Sequence, residues 1–158
     1  MSIKQQLEGV RPESDTALAI GTFDGVHKGH QRLFQLLLKT AQRQGLTATV
    51  VTFRNHPRTV LATQSKVEYI MPWAERERCI RSQGVGAVVP LDFTLEISQL
   101  KARDFVTYLV RDMRMKLLVA GPDFVLGHRR EGNVSLLKAL GEEMGFEVAV
   151  AEPALLGD

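Results

Sequence analysis

Two histidines separated by a lysine and a glycine, His27-Lys28-Gly29-His30, are the residues whose types and spacing most directly suggest chemistry. They close the segment Gly21-Thr22-Phe23-Asp24-Gly25-Val26-His27-Lys28-Gly29-His30, which follows an apolar run and leads into a helical pattern. The first turn of a helix has unpaired backbone N–H groups and the positive end of the helix dipole, so it favours an anion. Two imidazoles beside those groups can donate to phosphate oxygens, and Gly29 lets a phosphate approach the backbone. The glycines stand at positions 21, 25 and 29, so the segment is neither a dinucleotide G-x-G-x-x-G nor a G-x-x-x-x-G-K-[ST] loop. A zinc site would need a convincing third ligand, and the chain has one cysteine. The spacing and context predict a phosphate-binding helix start; the competing reading is two histidines at the surface of a helix cap.

Alternating strand and helix patterns must position that segment. Ala17 to Phe23 reads as a buried strand, and from Gly29 to Gln44 the residues Leu33, Phe34, Leu37, Leu38 and Ala41 recur at helical spacing, with Gly45 just beyond the end. Leu46 to Phe53 is rich in β-branched residues and reads as a second strand. A polar loop containing Asn55-His56-Pro57 runs from Arg54 to Lys66, and a helix follows over Pro72 to Gln83. The remaining pattern is a strand at Val85 to Leu91, a helix near Lys101 to Met115, a strand at Leu117 to Gly121, a helix at Val134 to Met144 and a strand at Phe146 to Ala151. Asn133 suits an N-cap for the last helix. This alternation predicts an α/β fold, a Rossmann-like doubly wound parallel sheet of about five strands. Ligands in such sheets bind beyond the carboxyl ends of the strands, here the loops at 21–30, 53–57 and 121–133. All four histidines fall in those three loops.

A length of 158 residues allows one domain at roughly 100–200 residues each. Hydrophobic residues make up 44% and charged residues 24%, which is enough apolar material for a core and argues against disorder. No apolar run approaches the roughly 18 residues of a membrane span, and the first residues have no signal-peptide pattern. Twenty Lys and Arg against eighteen Asp and Glu leave a net charge of +2, too balanced to predict a nucleic-acid partner. Arg76, Arg78 and Arg81 alternate with Glu75 and Glu77, which reads as a solvated helix face. The single cysteine, Cys79, suits a reducing cytoplasm and sits at a packing position.

The stretch AIGTFDGVHKGHQ resembles the first motif of the bacterial bifunctional riboflavin kinase/FMN adenylyltransferases (FAD synthetases), whose adenylyltransferase module is of the HxGH nucleotidyltransferase type. VTFRNHP resembles the F-x-P-H-P segment of that family, and GPDFVLGHRREGN resembles its G-x-D-F-x-F-G…G-[ND] loop, so the likeness covers nearly the whole chain. The resemblance implies transfer of AMP from ATP to FMN, giving FAD and pyrophosphate, with Mg2+ accompanying ATP. It implies His27 and His30 as the catalytic residues that hold the phosphates, and Gly21, Thr22, Phe23, Asp24 and Gly29 on the ATP side. His56, Pro57, Asp123 and Leu126 would then lie on the flavin side. Leu126 replaces a usual aromatic, and Asn55 a common proline, which predicts a less rigid loop; His128-Arg129-Arg130 stands where a Gly-Lys-rich segment is common. The resemblance further predicts that residues 1–158 form a nucleotidyltransferase domain lacking the family's Ser-Ser-Thr-x-Ile-Arg segment and riboflavin kinase domain. Alternatives are an HxGH nucleotidyltransferase acting on another phosphate-bearing acceptor and a non-catalytic flavin- or nucleotide-binding fragment.

Overall fold

The structure is a computed structural model describing residues 2–25, 28–55 and 71–152. Strands β1 (Thr16–Gly21), β2 (Thr47–Phe53), β3 (Ala87–Leu91), β4 (Met115–Ala120) and β5 (Glu147–Val150) pair in parallel in the order β3-β2-β1-β4-β5. Helices α1 (Ile3–Glu8), α2 (Lys28–Gln44), α3 (Trp73–Ser82), α4 (Leu95–Ser98), α5 (Ala102–Asp112) and α6 (Val134–Met144) cover its faces. The expected doubly wound α/β sheet is therefore the fold observed. Winding reverses between β1 and β4, so the connections leaving those two strands diverge and open a crevice.

A parallel sheet covered on both faces needs apolar residues pointing both ways, and β1 supplies them. Leu18 and Ile20 enter the core shared with α1, α5 and α6, whereas Ala17 and Ala19 enter the core shared with α2 and α3. Small side chains on the second face let Leu33, Phe34, Leu37 and Ala41 of α2 sit directly over the central strand. Edge strand β3 tolerates Pro90, whose missing N–H would break a ladder in a central strand. At α6 the Asn133 side chain accepts from the Leu136 N–H at 2.9 Å, and Gly145 closes the helix at φ 86°. Asn133→Ala is expected to lower unfolding free energy by about 1 kcal/mol without changing the denaturant slope, read by urea titration.

Several boundaries depart from the sequence pattern. The first strand ends at Gly21, not Phe23, because Phe23 turns back at φ 54° and lays its ring over Gly21. A Cβ at position 21 would stand 2.9 Å from that ring, so any side chain there would push the Phe23 ring aside. The helix read through Met115 stops at Asp112; Arg114 takes φ 54° and Met115 already begins β4. Bonds from Arg114 to Asp15 Oδ1 (3.0 Å) and to the Glu13 carbonyl (2.7 Å) hold that reversal. Helix α1 went unmarked in the sequence because only Ile3 and Leu7 of its six residues are buried; it is held by tertiary packing and a Ser2–Gln5 capping box. The largest departure is Arg76, which is 1% exposed and not part of a solvated face.

Candidate functional site

A cavity of about 320 Å³ opens at the carboxyl ends of β1 and β4, where the winding reverses. Gly21, Thr22 and Phe23 line it from the end of β1 and the turn after it, Gly29, His30 and Leu33 from α2, and Gly121, Pro122, Asp123 and Phe124 from the connection after β4. The first turn of α2 carries no acidic side chain, and the positive end of its dipole lies at the cavity wall that Gly29 and His30 form. His30 is oriented by its ring, which meets Phe23 edge-on at 5.3 Å and 89°. Phe23 in turn rests on Phe34 at 5.0 Å, and Phe34 is fully buried. Two phenyl rings thus connect the sheet face to the imidazole.

A second cavity, of about 680 Å³, lies beside β2 and α4. Phe53, Phe93, Ile97 and Leu126 make it apolar, and His128, Arg129 and Arg130 stand at its margin. Leu126 is held by a two-way backbone bridge to Gly132, at 2.9 and 2.7 Å. His128 is anchored through its N–H to the Leu100 carbonyl at 2.7 Å, and its Nδ1 lies 3.0 Å from the Ser98 carbonyl. The connection after β4 serves both cavities: residues 121–124 line the first and 125–130 the second. Asp123 and Leu126, grouped together in the sequence, therefore face different cavities, Asp123 sharing its cavity with Gly21, Thr22, Phe23, Gly29 and His30. Asp24 spends one carboxylate oxygen on the Met71 N–H at 2.9 Å, which ties its turn to the approach of α3. His27, His56 and Pro57 lie outside the described residues.

The strand ends beside the two cavities are held by residues to which the sequence analysis gave no part in the site. The Arg76 guanidinium donates to the Thr22 carbonyl at 2.7 Å and to the Arg54 carbonyl at 2.8 Å, with its plane 4.9 Å from the Trp73 ring centroid. Thr52 Oγ1 also donates to the Thr22 carbonyl, at 3.2 Å. Arg54 pairs with Asp92 through two 2.8 Å bonds, and that guanidinium holds the Asp92 carboxyl below its ordinary pKa. Asn55 brackets Phe93: its Oδ1 accepts from the Phe93 N–H at 2.8 Å and its Nδ2 donates to the Phe93 carbonyl at 2.9 Å, while the loop that it was expected to loosen lies outside the described residues from position 56 on. A signal for Arg76 was present in the helical spacing, since it lies three residues from Trp73 and four from Ile80 on the buried stripe. No comparable signal marks Thr52 or Phe93.

A family model described as FAD synthetase matches residues 10–158. The chain belongs to the FAD synthetase family. It is 33% identical over 141 residues to a bifunctional riboflavin kinase/FMN adenylyltransferase of Buchnera aphidicola, covering 89% of this chain and 45% of that protein. The Escherichia coli K12 protein of the same name is 34% identical over 138 residues, covering 87% of this chain and 44% of that protein. The Pseudomonas fluorescens one is 32% identical over 154 residues, covering 96% and 49%. The chain spans about half the length of the curated relatives it matches. A crystal structure described as a macrolide-efflux protein from Streptococcus pneumoniae superposes with a TM-score of 0.82 at 31% identity, over 94% of this chain and 49% of that one. Among the described residues of this FAD synthetase family chain, no helix is long and apolar enough to cross a membrane.

Proposed function

We propose that the chain is an FMN adenylyltransferase, transferring AMP from ATP to FMN to give FAD and pyrophosphate. The observation that carries this reading is the pair of cavities served by one connection, a helix-start cavity suited to phosphates and an apolar cavity suited to an aromatic ring system. An FMN phosphate oxygen attacks the α-phosphorus of ATP in line, and the bond to pyrophosphate breaks. No protein nucleophile is required, so the residues contribute position and charge stabilisation.

In this reading His27 and His30 donate to the ATP phosphates at the start of α2, where the helix dipole adds to them. Gly21, Thr22, Phe23 and Gly29 shape the nucleotide side, and Asp24 keeps their turn in place through Met71. Leu126, Phe53 and Phe93 wall the flavin side, to which His56 and Pro57 belong by their position after β2. Asp123, on the helix-start cavity, serves the side where the two substrates meet. Magnesium enters as part of the substrate MgATP, held through phosphate oxygens, in keeping with an ion that takes few protein ligands. The reaction suits the cytoplasm, where ATP and FMN are both present.

The test is incubation with ATP, FMN and Mg2+, scoring FAD and pyrophosphate by chromatography, with phosphopantetheine and nicotinamide mononucleotide as competing acceptors. FAD and pyrophosphate are expected in equal amounts. Turnover with another acceptor and none with FMN would overturn the assignment.

A further inference from the structure

We propose that Arg76 is a positioning residue: a buried strut that sets the spacing between the nucleotide-side and flavin-side segments by binding the first carbonyl beyond each of two adjacent strands. The proposal rests on the adenylyltransferase reading for its functional consequence and on hydrogen-bond geometry for the strut itself.

Strands β1 and β2 run in register until Gly21 pairs with Thr52, and β1 then ends. Beyond that point neighbouring carbonyls no longer have ladder partners, yet buried carbonyls must find donors. Thr22 and Arg54 are the first residues after β1 and β2, and one guanidinium satisfies both of their carbonyls. Its planar fork fixes direction as well as distance, and the Trp73 ring beside it limits its rotation. Thr52 adds a second donor to the Thr22 carbonyl from within the sheet.

Each clamped carbonyl stands just ahead of a segment to which the adenylyltransferase reading gives a function. Thr22 leads through Phe23 to His27 and His30, and Arg54 leads directly to His56 and Pro57. With Arg76 in place, α3 tethers both segments to one rigid point although it lines neither cavity. A strut of this kind works on the geometry of the pair of substrates, not on the affinity for each separately. In-line transfer punishes misalignment steeply, since a shift of about 1 Å can cost on the order of a hundredfold in rate.

The test compares the parent chain with Arg76→Met, Arg76→Lys and Thr52→Val. For each, kcat for FAD formation is set against the Kd of FMN, by quenching of flavin fluorescence, and of ATP, by calorimetry. Arg76→Met is expected to lower kcat about 30-fold or more while each Kd moves less than about threefold. Arg76→Lys, which keeps the charge but not the planar fork, is expected to recover only part of the loss, and the near-isosteric Thr52→Val to lower kcat about threefold to tenfold with both Kd values kept. Amide hydrogen exchange gives a readout independent of turnover: in Arg76→Met, residues 22–25 and 53–55 are expected to exchange faster together, with α6 unchanged. If Arg76→Met does not fold, Thr52→Val decides by the same kcat-against-Kd split. A loss of affinity as large as the loss of kcat, an unchanged kcat in Thr52→Val, or loosening of only one segment would overturn the strut. A parent that forms no FAD would count against the adenylyltransferase reading, and the exchange measurement then decides the strut alone.

Discussion

Replacing His30 by alanine is expected to slow FAD formation by about a hundredfold or more, equivalent to about 2.7 kcal/mol of transition-state stabilisation. The size reflects where the imidazole stands. It lies in the first turn of α2 on the wall of the helix-start cavity, and its ring packs edge-on against Phe23. A donor held in that way needs little reorganisation when charge builds up on the transferring phosphate, which is why losing one such donor is expensive. Alanine also removes the edge-on ring contact, so thermal unfolding and the far-ultraviolet spectrum must be recorded beside the kinetics. His30→Gln retains a donor and should recover part of kcat. If purified, folded His30→Ala turned over at a near-parental rate, His30 would have no role in the chemistry.

Phe34→Ala is expected to cost about 3–5 kcal/mol of unfolding free energy, the usual range for removing a fully enclosed aromatic ring. Against a typical total of about 5–15 kcal/mol, this single change would leave the chain close to its stability limit. Phe34 is completely buried between α2 and the alanine face of β1, and it supports Phe23, which supports His30. The same substitution should therefore reduce FAD formation under conditions where the protein remains folded, through loss of support and not through loss of a group that touches substrate. Guanidinium titration gives the stability term, and Phe34→Leu, which refills much of the space, should lose distinctly less of both. A stability loss below about 1 kcal/mol would show that the neighbouring side chains close over the gap, contrary to the dense packing expected of such a core.

Much of the fold was legible because period and punctuation agreed along the chain. The limits of α6 matched at both ends, and α2 and β2 matched to within a residue, since Gly45, Asn133 and Gly145 stop or start helices for reasons local to the backbone. The strand–helix alternation implied a parallel sheet, and the switch-point rule directed attention to the connections after β1 and β4, where the first cavity lies. Where the local pattern misled, a distant partner was responsible. Arg76 looked like one more charge on an alternating surface because its acceptors are carbonyls 54 and 22 residues away, and a carbonyl leaves no mark in a sequence. The helical pattern was read as far as Met115, but Asp15 and the Glu13 carbonyl hold Arg114 where the chain turns into β4.

The candidate site divides in the same way. His30 and Gly29 could be named in advance because a helix start that faces an anion favours particular residue types over a few positions, whereas Gly21 and Asp123 were named only through the resemblance to the family's motifs. Tertiary structure alone decided that Asp123 and Leu126 face two different cavities, that Asn55 brackets Phe93, and that Phe23 and Phe34 carry the imidazole of His30. Residue types and short spacings determine which local structures can form, because backbone sterics and hydrogen bonding act over a few residues. Which of them share a wall, a strut or a cavity depends on side chains brought together from separate strands, and only the packing of the sheet sets those distances.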